Sequence, residues 1–198
     1  LCKTKSNNDI SVQIRISAGS RDETSGIHGI SHVLEHMFFQ GSEKYPTQFE
    51  LESEIYNCGG TFNAYTNKDS TVYHIDGSKK CLEKFLEIMS DSFYNSLFDE
   101  KKLENEKKVV TNEINDHLSD PSNLSWYGID ALHFKNTRLE KNVPGSDKSV
   151  QSLTTEKLKN YINTYYQKNI ILSVGGNINF EKTLNLLKKY FTKKPNYP

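Results

Sequence analysis

The sequence predicts a single α+β domain in which a mainly antiparallel sheet packs against helices. Residues 10–16 alternate apolar and polar side chains, and residues 61–75 contain two further strand-like runs rich in β-branched and aromatic residues. Residues 82–118 instead repeat apolar side chains every three or four positions, which is typical of amphipathic helices. Strands and helices in mixed order, with a hairpin among them, favour an α+β fold.

The composition is that of a polar chain that can still build a core. No linker or internal repeat divides its 198 residues, so we expect one unit over residues 1–198. The mean hydropathy is −0.69, and no stretch approaches the roughly 18 apolar residues that span a bilayer. The formal net charge is zero, which argues against a nucleic-acid partner because neutralising phosphates needs an excess of basic residues.

The zero net charge combines an acidic and a basic part. Residues 1–134 hold 13 Lys and Arg against 21 Asp and Glu, whereas residues 135–198 hold 12 against 4. An acidic cleft in the first part would attract basic peptides, although charged runs also occur on ordinary solvated surfaces.

The three cysteines, Cys2, Cys58 and Cys81, are odd in number and widely spaced. We therefore expect no disulfide framework and no zinc knuckle. This usage favours a reducing compartment, so the sequence predicts an intracellular protein, cytoplasmic or organellar, and not a secreted one.

The first half of the chain predicts strands around short helices. A helix over 30–39 ends before Gly41, since glycine commonly follows a helix end. A second helix begins near Thr47 and stops at Gly59-Gly60. Two strands follow, joined by the polar residues 67–69, which is the signal of a hairpin.

The second half is predicted to be mainly helical. The expected helices are, in order, 82–97, 99–118, 126–134, 154–166 and 180–191. A chain break is predicted at Asp120-Pro121-Ser122 and a turn at Pro144-Gly145-Ser146. Residues 169–176 are nearly continuous in apolar side chains, which predicts a buried strand.

Residues 29–41 form a short apolar segment that carries two histidines and a carboxylate at fixed intervals. On a helix, His32 and His36 lie on adjacent turns about 40° apart, with Glu35 beside them. Both imidazoles could then hold one cation, and the carboxylate could take a proton from water activated by it. This His-x-x-Glu-His pattern is the inverted form of the common zinc-helix motif. The same spacing also occurs on helices whose histidines are only hydrogen-bonded or solvated.

Other residues carry atoms that could complete a metal site. His28 lies four residues before His32, but glycines flank it, so we place it in a loop outside the helix. Glu106 and Glu113 are seven residues apart and share one face of their predicted helix. Asp116-His117 follows on the next turn. Carboxylates on a charged helix are mostly solvated, so the spacing alone leaves the third ligand open.

Taken together, these residues resemble the pitrilysin/insulinase family of inverzincin metallopeptidases, and most closely its mitochondrial-processing-peptidase-like branch. The segments that follow the family's order and spacing are 18–23, 29–41, Gly59-Gly60, 63–66, 106–113, Pro144-Gly145 and 169–176. The resemblance covers nearly the whole chain. It implies the α+β metallohydrolase fold of processing peptidases, peptidase activity, and a cytoplasmic or organellar location such as a mitochondrial-like matrix.

The resemblance also implies a role for each residue of the motif. In the family the third zinc ligand is a glutamate 77 positions after the second histidine, which is Glu113 here. The implied site is one Zn²⁺ held by His32, His36 and Glu113, with a fourth position open, as catalytic zinc requires. Glu35 is implied as the general base and Glu106 as a nearby acidic residue that supports the site.

Asn63 and Ala64 match the edge strand on which family members hold the substrate backbone. An edge strand presents unpaired backbone groups that can accept a peptide as an added strand, but the sequence pattern fits an internal strand equally well. Family enzymes normally carry a second, similar half without a metal motif, which closes over the substrate. The chain corresponds to the first, catalytic half, so the resemblance implies a second half-domain or a partner subunit.

Two other functions share these features. The family includes inactive subunits that act as structural partners, although these usually lose motif residues and all five motif positions are intact here. The S-ribosylhomocysteine lyases share a related fold and the histidine motif but use a cysteine as third ligand, and neither Cys58 nor Cys81 has the expected surroundings. The sequence therefore favours a zinc metalloendopeptidase that hydrolyses peptides or presequences, with Glu35 as base.

Overall fold

The structure is a computed structural model that describes residues 1–4, 8–167, 170–192 and 195–198. Its strands are β1 (Cys2–Lys3), β2 (Asp9–Ile16), β3 (Thr61–Thr66), β4 (Thr71–Ser78) and β5 (Ile170–Gly176). They form one sheet in the order β1, β5, β2, β4, β3. Only the pairing of β1 with β5 is parallel, so the predicted mainly antiparallel sheet is confirmed.

The helices of the described residues account for most of the second half. They are α1 (Ile30–Met37), α2 (Gln48–Asn57), α3 (Leu82–Asn95), α4 (Glu100–Ser119), α5 (Pro121–His133), α6 (Asp147–Gln151), α7 (Thr155–Tyr165) and α8 (Phe180–Tyr190). None of them is both long enough and apolar enough to cross a membrane. The mixture of sheet and helices confirms the predicted α+β fold.

The core lies between one face of the sheet and the helices. Val12, Ile14 and Ile16 of β2 are buried, while the residues between them are partly exposed, because successive side chains of a strand point to opposite faces. Helix α1 packs on β3 and β4, and α3 packs on β2. This packing places the helix with the histidine motif directly against the hairpin of β3 and β4.

Several predicted elements differ from the structure. Strand β5 was predicted to be buried, but only its Val174 is; its other residues are partly buried or exposed, with Ile171 53% exposed, and Asn169 lies outside the described residues. Helix α5 begins at Pro121 rather than at 126, because proline is well suited to the first position of a helix. Leu97, predicted to extend α3, follows the end of that helix and is 44% exposed.

The prediction about the cysteines was also wrong. Cys58 and Cys81 form a disulfide, with their Cα atoms 6.0 Å apart, whereas Cys2 is exposed and unbonded. The two lie 23 positions apart in sequence, but the hairpin between them brings the end of α2 back to the start of α3. Because the two cysteines are far apart in sequence, their spacing did not indicate this disulfide.

Candidate metal centre

Helix α1 carries the motif because one of its faces is buried in the core. Ile30, Val33, Leu34 and Met37 are all at most 2% exposed. Their spacing leaves His32, Glu35 and His36 on the remaining face, where each is partly buried. The predicted helix over 30–39 is thus present, two residues shorter at its end.

The structure brings both histidines of the motif against Glu113 of α4. Nε2 of His36 lies 3.4 Å from Oε2 of Glu113, and Nε2 of His32 lies 3.7 Å from the same oxygen. One ligand atom from each of the three residues lies within 4.8 Å of the others. Tetrahedral ligands about 2.1 Å from a zinc ion are roughly 3.4 Å apart, so this donor set fits zinc.

Other residues considered as ligands do not join this cluster. Among the described residues, it is the one group of three or more histidine, cysteine or acidic side chains that could hold a metal ion. His28 lies in the loop before α1, as predicted, and its ring contacts Glu23. His117 is near His32, but its Nδ1 is 2.9 Å from the hydroxyl of Tyr127.

Glu106 contacts the outer side of the His36 ring. Its Oε2 lies 3.0 Å from Nδ1 of His36, and its Oε1 accepts a hydrogen bond from Nε2 of Gln40 at 2.9 Å. With Nδ1 donating to Glu106, Nε2 of His36 is directed toward Glu113. This carboxylate–histidine arrangement typically supports metal ligands by fixing the tautomer and raising the basicity of the ring.

The two histidines have opposite shifts in pKa. The pKa of His32 is lowered to about 3, mainly by burial and then by the neighbouring His36 and His117, so His32 is neutral at pH 7. Burial also acts to lower the pKa of His36, but the hydrogen bond to Glu106 and the charge of Glu113 outweigh it and raise that pKa. A cation would therefore find a neutral imidazole at His32 and would compete with a proton for His36.

Glu35 has a raised pKa because it is buried, and the charge of Glu113 adds to this effect. Acting against the shift, Thr66 Oγ1 donates a 2.6 Å hydrogen bond to Oε2 of Glu35. Sequence reasoning assigned no role to Thr66, although it lies within the segment 63–66 that carries the resemblance. Only the packing of β3 on α1 shows that its hydroxyl reaches the carboxylate.

Strand β3 is at the edge of the described sheet, which decides between the two alternatives that the sequence left open. Asn63 is exposed, and its Oδ1 accepts the N–H of Ala64 at 2.8 Å. That N–H therefore points away from β4 and is covered by a side chain that can move. The edge offers backbone groups for an added strand.

A cavity of about 310 Å³ connects the edge strand with the histidine motif. Its lining includes Glu35, His36, Phe39, Phe62, Asn63, Ala64, Glu106 and Val109. Val109 of α4 is 42% exposed and forms part of this wall. The cavity thus places polar and apolar side chains beside the cluster of possible ligands.

The fold and this cluster together define a class of proteins: α+β domains in which a His-x-x-Glu-His helix faces a glutamate of a second helix. A family model described as insulinase (peptidase family M16) matches residues 1–147, and one described as the peptidase M16 inactive domain matches residues 152–198. The chain belongs to the insulinase, or M16, family of peptidases.

Individual relatives agree with this assignment. The human mitochondrial-processing peptidase subunit beta is 33% identical over 181 residues, covering 91% of this chain and 37% of that protein. An uncharacterized zinc protease of Rickettsia felis is 32% identical over 184 residues, covering 92% of this chain and 44% of that protein. The crystal structure of a Helicobacter pylori protease superposes with a TM-score of 0.88 at 28% identity, covering 100% of this chain and 47% of that one.

These comparisons confirm the predicted family and its processing-peptidase-like branch. The chain spans less than half the length of each of these three relatives. The peptidase family to which the chain belongs includes a protein named as a zinc protease.

Proposed function

We propose that residues 1–198 form the catalytic half-domain of a zinc metalloendopeptidase, with one Zn²⁺ held by His32, His36 and Glu113. The observation that carries the proposal is the convergence of two imidazoles from α1 and one carboxylate from α4 within 4.8 Å. The contact between Glu106 and His36 supports it, because outer carboxylates of this kind accompany histidine ligands.

The chain's own residues divide the chemistry between them. Zinc, when bound, supplies Lewis acidity that polarises the scissile carbonyl and acidifies water. Glu35 takes the proton of the attacking water and later delivers it to the leaving amine, a role that its raised pKa favours because a more basic carboxylate binds the proton better. Glu106 holds His36 in the tautomer that directs Nε2 toward Glu113.

The substrate in this proposal is a peptide or presequence bound as an added strand on β3. Asn63 and Ala64 would hold it, with Asn63 releasing the N–H of Ala64 to a carbonyl of the peptide. The edge position of β3 and the cavity between Ala64 and Glu35 support this arrangement.

A second half-domain or partner subunit would complete the site. The name of the human relative describes a subunit, and the chain covers 47% of the Helicobacter pylori protease. Helix α5 has no buried residue, and Trp126 and Leu132 are 63% and 81% exposed. Large apolar side chains exposed along one helix are typical of a surface that another chain or domain covers.

We place the protein inside the cell, in the cytoplasm or in an organelle such as a mitochondrial-like matrix. The names of the mitochondrial relatives support an organelle. The disulfide between Cys58 and Cys81 is unusual where thiols are kept reduced, so the cysteines do not support the sequence argument for a reducing compartment.

The proposal is tested by cleavage of a mixed peptide library by the full-length protein, with and without chelator. We expect Glu35→Gln to keep zinc and abolish cleavage, and Glu113→Gln to lose zinc. A Glu35→Gln variant that cleaves at the wild-type rate would refute the assigned base.

The same experiment separates the two alternatives. An inactive structural subunit would bind peptides without cleaving any of them, whatever its metal content. A lyase-like site would keep zinc in Glu113→Gln and lose it in Cys81→Ser. The structure gives the lyase little support, because Cys58 and Cys81 are bonded to each other.

A further inference from the structure

A buried carboxylate lies at the beginning of the helix that carries the histidines. The side chain of Glu23 is 0% exposed, and its two oxygens accept the backbone N–H groups of Gly29 at 2.7 Å and Ser31 at 2.9 Å. Nδ1 of His28 lies 3.1 Å from the same carboxylate. The N–H groups of a first helical turn have no partner within the helix, and the N-cap Gly29 has no side chain to supply one. Glu23 therefore supplies the cap from the loop before α1, six residues ahead of Gly29.

The loop that carries Glu23 is itself attached to the hairpin of β3 and β4. The N–H groups of Ser20 and Arg21 donate to the carbonyls of Asn67 and Lys68, at 3.3 and 2.9 Å. The approach is so close that a Cβ on Gly19 would lie 2.3 Å from the Asn67 carbonyl oxygen. The loop thus connects the turn of the edge hairpin with the first turn of α1.

We infer that Glu23 is a positioning residue that sets where α1 presents His32 and His36 relative to Glu113 and to β3. The inference rests on the proposed metal centre. Ser31, which Glu23 holds, directly precedes His32 in the chain, so a shift of the first turn moves that ring. Metal sites tolerate deviations of only about 0.2 Å in ligand distance. A carboxylate at a helix N-terminus is also favoured electrostatically, and it is costly to leave such a buried charge or its donors unpaired.

The test compares Glu23→Gln with a matched variant in the full-length protein. In Glu23→Gln the amide group can accept at one oxygen only, so either Gly29 or Ser31 loses its acceptor. Val174→Ala removes buried methyl groups from β5, which is not among the elements that α1 mainly packs against, and lowers stability. The probes are Co²⁺ titration of the metal-free protein, read from the visible absorption of bound Co²⁺, and hydrogen exchange of the Ser31 amide.

We expect Glu23→Gln to weaken Co²⁺ binding by about tenfold or more, to change the absorption band, and to accelerate exchange at Ser31. Val174→Ala should lower Tm while leaving all three readouts at wild-type values. If Glu23→Gln behaves like Val174→Ala, Glu23 contributes stability alone and the inference is overturned.

A second variant covers the case in which Glu23→Gln does not fold. Glu23→Asp keeps the charge but is one methylene shorter, so it cannot reach both N–H groups, and we expect an intermediate Co²⁺ affinity. Wild-type affinity and exchange in Glu23→Asp would contradict the inference.

If the wild-type protein binds no Co²⁺, the proposed metal centre fails. The exchange of Ser31 in the metal-free proteins then decides: faster exchange in the variant supports the Glu23 contact, and equal exchange overturns it.

Discussion

Replacing Thr66 with valine tests how the proposed base is oriented. Thr66 donates a 2.6 Å hydrogen bond to Oε2 of Glu35. A hydrogen bond to a charged group contributes about 1.5–3 kcal/mol, and each 1.4 kcal/mol corresponds to about tenfold in rate. Valine has nearly the volume of threonine without the hydroxyl, so Glu35 stays buried and loses its donor. We expect kcat to fall roughly 10- to 100-fold.

The assay is steady-state cleavage of a peptide by the full-length protein, with zinc content measured on the same sample. Thr66→Ser is the control, because it keeps the hydroxyl and should retain most of kcat. Zinc content should be unchanged in both variants, since Thr66 contacts Glu35 rather than a proposed ligand. Wild-type kcat in Thr66→Val at full zinc content would refute the reasoning, and loss of zinc would show that the effect lies in the metal site.

Three further predictions concern the metal, the disulfide and the start of α1. The pKa of His36 is raised, so zinc competes with a proton for this ring; apparent affinity should rise by up to about tenfold per pH unit over the range in which His36 loses its proton. Glu106→Gln replaces the charged acceptor of the His36 hydrogen bond with a neutral one and should shift that pH range downward; calorimetry in two buffers measures the number of protons released on zinc binding. Cys58→Ser should lower the unfolding free energy by about 3 kcal/mol in denaturant titrations, and reductant should do the same to the wild type. Gly29→Ala, at φ +90°, should destabilise by about 1–3 kcal/mol, whereas Gly26→Ala, with open space around it, should not.

Much of the fold followed from local periodicity. The alternation in residues 10–16 and the helical spacing in residues 30–39 correspond to β2 and α1, because burial of one face imposes the period of each element. Elements without a clear apolar face were harder to predict. Helix α5 has no buried residue, so its apolar pattern did not show where it begins; Asp120-Pro121, interpreted as a chain break, is in fact its N-cap and first residue, and the short α6 was not predicted.

The candidate site was predictable only in part, because only some of its residues are neighbours on one helix. His32, Glu35 and His36 lie within one and a half turns of a single helix, so their juxtaposition follows from helix geometry. Glu113 lies 77 positions beyond His36, and the family resemblance rather than spacing indicated it. The structure now places its carboxylate beside both rings, while its role as a ligand stays a prediction.

The sequence by itself determined the helix that carries the histidines and the α+β class, because both depend on the order of apolar and polar residues along a few turns. Only the tertiary structure decided that β3 is an edge strand, that Cys58 meets Cys81, and that Thr66 and Glu23 reach α1. These contacts join residues that no local period relates. They depend on how the hairpin of β3 and β4 packs against α1, and that packing is a property of the whole fold.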